Sequence, residues 1–167
     1  SGTDNTSFVS QSGLANQAGS FVDETDVGVR QAGTNGRSDI VQTGGFQSAF
    51  VDQLSTAVNA RSNINQGTNG FFGIGAGLQQ VAEVTQDGLS NGSDITQRGV
   101  AQTARVTQSG SGNESAVSQG STGFGGVNIG SGNLATVTQS GDDGESSVIQ
   151  RGTDSVATVT QDGADND

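Results

Sequence analysis

Polar and apolar positions alternate along short stretches of this chain, and one stretch keeps returning. Its clearest copy is Asn133-Leu134-Ala135-Thr136-Val137-Thr138-Gln139-Ser140-Gly141, or N-x-A-x-V-x-Q-x-G. Strict alternation about a β-branched centre predicts a β-strand whose side chains point to opposite faces. One face carries Asn133, Ala135, Val137 and Gln139, and the other Leu134, Thr136, Thr138 and Ser140.

Aligned on its glutamine, the stretch occurs twelve times, at Gln11, Gln31, Gln42, Gln53, Gln66, Gln86, Gln97, Gln108, Gln119, Gln139, Gln150 and Gln161. Two positions earlier stands an unbroken series of β-branched residues: Val9, Val29, Ile40, Val51, Ile64, Val84, Ile95, Val106, Val117, Val137, Val148 and Val159. The intervals between glutamines are 20, 11, 11, 13, 20, 11, 11, 11, 20, 11 and 11 residues, so four motifs form a block of 53 to 55 residues. The whole of 1–167 reads as one repeat domain in three blocks: about 34–86, 87–139, and a split block formed by 5–33 and 140–163.

Parity then separates the copies. Four positions before the glutamine, odd copies carry Ser7, Ser38, Ser62, Ser93, Ser115 and Ser146, and even copies carry Val27, Ala49, Ala82, Ala104, Ala135 and Ala157. Two alternating classes imply two sheets. The predicted fold is all-β: a β-solenoid of about six strand-turn-strand-turn coils, with two parallel in-register sheets face to face. At the strand spacing of about 4.8 Å the six coils would stand about 25 to 30 Å tall. The glutamines are expected to face inward and bond from coil to coil, as amide ladders do in cross-β assemblies. Glycines two positions after the glutamine (Gly13, Gly33, Gly44, Gly88, Gly99, Gly110, Gly141, Gly152 and Gly163) are expected to supply positive φ at the corners.

The three 20-residue intervals each follow an odd motif, so their insertions are expected along one edge on alternate coils. Each is read as a short arc over the neighbouring coil, its aromatics Phe21, Phe71, Phe72 and Phe124 packing against that edge. Only four residues precede Asn5 and four follow Gly163, with no visible capping segment, so the ends are expected to add coils head to tail into cross-β fibres.

Composition alone points elsewhere. Only 29% of the 167 residues are hydrophobic and the net charge is −11, values typical of a disordered chain. Regular repetition reverses that reading, because stacked repeats build a core that no single repeat has. The chain lacks Cys and His, which removes disulfides, zinc-thiolate sites and the commonest general base, and it is read as not an enzyme and as using no cofactor. Six arginines scattered among 17 acidic residues do not form a nucleic-acid footprint. No apolar run reaches the roughly 20 residues of a membrane helix. Asp23-Glu24-Thr25-Asp26 and Asp142-Asp143-Gly144-Glu145 offer carboxylates on turns, without the spacing of a known calcium loop. Outward threonines at Thr85, Thr107, Thr136, Thr138, Thr158 and Thr160 form ranks interrupted by Phe50, Glu83 and Arg105.

Two local matches carry a family resemblance: Gln108-Ser109-Gly110-Ser111-Gly112-Asn113-Glu114-Ser115-Ala116-Val117-Ser118-Gln119, and Asn133-Leu134-Ala135-Thr136-Val137-Thr138-Gln139. They resemble the curlin repeat, S-x5-Q-x-G-x-x-N-x-A-x-V-x-Q, of the major subunits of bacterial curli fibres, and recognisable copies cover residues 5 to 163. The chain departs from that pattern in placing Ser four rather than six before the odd Gln, and in its nine-residue insertions. The resemblance implies a secreted subunit of an extracellular amyloid fibre of the biofilm matrix, a homopolymer supporting adhesion. It also implies two partners, a secretion channel and a nucleator subunit. A second class of function stays open: a monomeric or adhesin-borne β-solenoid binding module presenting a face to ice or glycan.

Overall fold

The computed structural model describes residues 2–14, 16–18, 28–67, 77–122 and 128–167. Among them the regular elements are all strands: β1 (Thr6–Leu14), β2 (Gln17–Ala18), β3 (Val29–Gln31), β4 (Arg37–Gly45), β5 (Ser48–Gln53), β6 (Arg61–Gln66), β7 (Gly77–Leu78), β8 (Val81–Gln86), β9 (Gly92–Gln97), β10 (Thr103–Ser111), β11 (Glu114–Gln119), β12 (Ser121–Thr122), β13 (Asn128–Ile129), β14 (Leu134–Asp142), β15 (Glu145–Gln150) and β16 (Val156–Ala164).

They build two parallel sheets. One runs β1-β4-β6-β9-β11-β15, with β7 beside β4; the other runs β16-β14-β10-β8-β5-β2, with β3 beside β5. Every odd motif lies in the first and every even motif in the second, so the chain winds as a β-solenoid of strand pairs. Register is set residue on residue: Ile64 pairs with Ile95 and Gln66 with Gln97 in the odd sheet, and Val106 with Val137 and Gln108 with Gln139 in the even sheet. A slip of one residue would turn every buried side chain outward, so the alternation itself specifies the register.

Burial follows the alternation. In β6, Ser62, Ile64 and Gln66 are buried while Arg61, Asn63 and Asn65 face out. Ile40, Val51, Ile64, Val84, Ile95, Val106, Val117, Val137 and Val148 pack with Ala49, Ala82, Ala104 and Ala135 in one cluster, with Val29 and Val159 partly buried against it. Val9, in the outermost coil, is 43% exposed.

Corner geometry differs from the sequence expectation. Gly13, Gly44, Gly88, Gly99, Gly110, Gly141 and Gly163 have positive φ, but Gly33 and Gly152 do not. The constant left-handed position is counted from the next motif, seven residues before its glutamine, with Asp165 in the equivalent place after the last one. It is held by Asp4, Asn35, Phe46, Asn59, Gln79, Ser90, Ala101, Asp143, Asp154 and Asp165 at φ of 52 to 56°, and by Gly112 and Gly132 at 69 and 65°. This residue reverses the chain direction just before each new motif, and mostly short polar side chains tolerate it.

The first insertion also lies elsewhere than expected. Gln17 and Ala18 pair with Ser48 and Ala49, and the strand resumes with Val29, Arg30 and Gln31 against Val51, Asp52 and Gln53. Ala18, not Val27, therefore fills the small-residue column, and the insertion interrupts the even strand itself. The reason is visible in Asn16-Gln17-Ala18, which follows Gln11 at the spacing at which Gln47-Ser48-Ala49 follows Gln42. At the third insertion β12 pairs antiparallel with β13, forming a hairpin base with Ser121 opposite Ile129. Phe21, Phe71, Phe72 and Phe124 lie outside the described residues, as does Val27.

Candidate assembly surface: amide ladders and outer coils

The structure places the twelve repeat glutamines in two columns. In the odd sheet each Nε2 donates to the next Oε1: Gln11 to Gln42 at 2.6 Å, Gln42 to Gln66 at 2.8 Å, Gln66 to Gln97 at 2.8 Å, Gln97 to Gln119 and Gln119 to Gln150 at 2.9 Å. The even column repeats this from Gln31 through Gln53, Gln86, Gln108 and Gln139 to Gln161, at 2.8 to 3.1 Å. Among the described residues, both ladders run without a gap.

The second amide proton does different work. Gln97 donates to the carbonyl of Val81 at 2.8 Å, Gln108 to that of Gly92 at 2.7 Å and Gln119 to that of Thr103 at 2.9 Å. Each acceptor stands five residues before a glutamine of the opposite sheet, so each amide ties the end of one strand to the start of a strand facing it. The facing strands therefore run in opposite directions, and the Ser or Ala and Val or Ile positions of both sheets fill the space between them. A nitrogen that donates to a carbonyl leaves its oxygen as the only acceptor, so amide orientation in the ladder follows from chemistry.

A second set of amides sits at the corners, on the inward face to which the sequence assigned Asn133. Asn113 Nδ2 donates to the carbonyls of Ser109 and Gly141 at 2.9 Å, and its Oδ1 accepts from the backbone N–H of Gly144 at 3.0 Å. Asn91 accepts likewise from Asn113 N–H at 3.0 Å, and Asn133 from Ser155 N–H at 3.0 Å. Gln47, Gln80 and Gln102 take this place in even motifs and are buried. The signal was the first letter of the N-x-A-x-V-x-Q pattern, six residues before the glutamine.

One column departs from this satisfaction. The hydroxyls of Ser38, Ser62, Ser93, Ser115 and Ser146 are buried and find no hydrogen-bond partner among the described residues. Of the acidic turns, Asp142 Oδ1 accepts from the N–H of Ser111 at 3.2 Å, and Asp143 holds a left-handed corner. No group of three metal-ligating side chains occurs among the described residues, and Asp23-Glu24-Thr25-Asp26 lies outside them. The threonine ranks are in register, Thr107 on Thr138 and Thr136 on Thr158, but beside them Arg105 pairs with Glu83 at 2.7 Å.

Residues 88–120, which hold β9, β10 and β11 with three ladder glutamines, match the model of the curlin associated repeat. The chain carries a curlin repeat. No curated protein and no solved structure matches it. Outside the matched segment the same strand register continues, as the pairing of β14 with β16 shows: Ala135 on Ala157, Val137 on Val159 and Gln139 on Gln161.

The outer coils show what the interior hides. Residues equivalent to buried ones are uncovered in the first coil, where Val9 is 43% exposed and Gln11 is exposed. In the last coil Ala157, Val159 and Gln161 are half-buried. The ladders have direction as well. Oε1 of Gln11 and of Gln31 receives no ladder bond, whereas Gln150 and Gln161 are the final acceptors and have no further glutamine to which to donate. One outer coil thus presents amide acceptors and the other amide donors. Among the described residues no helix is long and apolar enough to cross a membrane.

Proposed function

We propose that this chain is a structural subunit of a curli-like extracellular amyloid fibre, supporting adhesion in a biofilm matrix and growing by end-to-end stacking of its coils. The observation that carries the reading is the pair of amide ladders with complementary outer members. Placing the last coil of one copy on the first coil of another would pair Val148 with Val9 and Gln150 with Gln11 in the odd sheet. It would pair Ala157 with Ala18 and Gln161 with Gln31 in the even sheet. Each pairing repeats one already made between coils inside the molecule, and the donor end meets the acceptor end. The curlin repeat over residues 88–120 supports the same reading. A secretion channel and a nucleator subunit are the partners that go with it, and secretion to the cell surface is the matching location.

Fibre diffraction and electron cryomicroscopy test it. Aligned fibres should give a meridional reflection near 4.7 to 4.8 Å and, for six coils, an axial subunit repeat of about 29 Å by that spacing. Growth should be accelerated by preformed seeds. Protein that stays monomeric through prolonged incubation at high concentration, with or without seeds, would overturn the proposal.

A further inference from the structure

The outward faces of the two sheets distribute charge differently. On the even sheet opposite charges sit side by side on adjacent coils: Arg30 with Asp52 at 3.4 Å and Arg105 with Glu83 at 2.7 Å. On the odd sheet, the position five before the glutamine reads Thr6, Arg37, Arg61, Gly92, Glu114 and Glu145 from the first coil to the last, each in register with the next. Two arginines adjoin, two glutamates adjoin, and a glycine separates them. Like charges directly opposite each other in a sheet are destabilising. Arg37 relieves its own with Asp39 at 2.7 Å, but Arg61, Glu114 and Glu145 form no ion pair among the described residues. Segregation of this kind costs stability inside the molecule and makes the face complementary to itself.

We propose that the odd face docks a second copy of this chain, turned about a two-fold axis that runs along β9. That operation keeps each position along the strand and reverses the order of the coils. Arg37 then meets Glu145 of the second copy and Arg61 meets its Glu114, each pair twice, as an isologous interface requires. Gly92 lies on the axis, under an open notch of about 320 Å³ whose walls include Arg61, Asp94, Glu114 and Glu145. Without a side chain there, the two backbones can approach where the sign of the charge changes.

A second column follows the same symmetry. One position before the glutamine stand Ser10, Val41, Asn65, Thr96, Ser118 and Ile149. The axis sets Val41 on Ile149, an exposed apolar residue at 59%, and Thr96 on its own counterpart. An axis parallel to the solenoid would instead set Arg37 on Val41 and leave the charges unmatched. Among the positions five, three and one before the glutamine, Asp94 on its counterpart is the one like-charge contact. The arrangement uses only outward side chains of the odd sheet and leaves the stacking edges of the outer coils free, so it applies to a single molecule and, in a stack, lays two filaments side by side with opposite polarity.

The chain has no cysteine, so single cysteines report the geometry directly. Thr96→Cys, on the axis, should form a disulfide dimer under mild oxidation at least ten-fold faster than Val41→Cys, which lies off it. Val41→Cys mixed with Ile149→Cys should cross-link as a heterodimer. Arg37→Glu with Arg61→Glu should suppress the Thr96→Cys dimer ten-fold or more, adding Glu114→Arg and Glu145→Arg should restore it, and Asp94→Asn should increase it. Equal cross-linking of Thr96→Cys and Val41→Cys, or a rate indifferent to the charge reversals, would overturn the proposal. Because these residues all point outward, and the fourfold reversal keeps the net charge, restoration separates lost docking from lost folding.

Discussion

Gln97 hands one amide proton to Oε1 of Gln119 at 2.9 Å and the other to the carbonyl of Val81 at 2.8 Å, so a single side chain joins two coils and both sheets. Replacing Gln97 by Leu keeps the bulk but leaves the Gln66 amide and the Gln119 oxygen without their ladder partners. At about 1–3 kcal/mol for each buried polar group orphaned, Gln97→Leu should cost more than about 2 kcal/mol. Gln108→Leu should behave alike, whereas Gln11→Leu, at the end of its ladder, removes only the donor to the Gln42 oxygen and should cost less. Urea unfolding of the soluble form would measure all three.

The serine column predicts the opposite sign. Ser93 and Ser115 bury hydroxyls that have no partner among the described residues, and their even-motif equivalents are alanines packed in the same core. Removing a buried unsatisfied hydroxyl recovers its desolvation cost, so Ser93→Ala and Ser115→Ala should each stabilise by about 1 kcal/mol. A midpoint that falls instead would show that the hydroxyls are bonded.

Corner positions separate glycines that are required from residues that are strained. A Cβ on Gly110, at φ 99°, would lie 2.0 Å from the carbonyl oxygen of Gly141, a backbone atom that cannot step aside. Gly110→Ala should therefore unfold the local corner, read as accelerated amide exchange at Leu89 and Ser111. Phe46 holds the left-handed position at φ 56° while 59% exposed. Left-handed backbone costs an ordinary residue roughly 1–2 kcal/mol, and Asn bears it better, so Phe46→Asn should raise the unfolding midpoint.

Salt should act on the two proposed contacts in opposite directions. Copies of a chain with net charge −11 repel, and raising salt shortens the Debye length from about 10 Å at 0.1 M to about 3 Å at 1 M. Seeded growth should therefore accelerate with salt, while cross-linking through Arg61 and Glu114 should slow. Light scattering and gel analysis of the same samples would read both.

The sheets were legible because a parallel in-register fold repeats its demands on every coil. The Ser and Ala positions, the Val or Ile positions and Gln each recur as columns, and parity of Ser against Ala separated the two sheets. The corners were not legible in the same way. Their left-handed residue is variously Asp, Asn, Phe, Gln, Ser, Ala or Gly, since backbone direction rather than side-chain chemistry is what that position requires. The first insertion was displaced because counting back from Gln31 reaches Val27, whereas counting forward from Gln11 reaches Ala18. Charge segregation along Arg37, Arg61, Glu114 and Glu145 becomes visible only once the strands are stacked, because successive members are 24, 53 and 31 residues apart in sequence.

All ten ladder bonds point the same way along the solenoid. Each glutamine amide is a small dipole, and aligned dipoles add along a column as peptide dipoles do along a helix. The two outer coils therefore carry opposite partial charge whatever the net charge of the chain. A stack of such molecules would be an electrically polar rod, and the difference between the two tips of the proposed fibre would already be present in the orientation of one amide group.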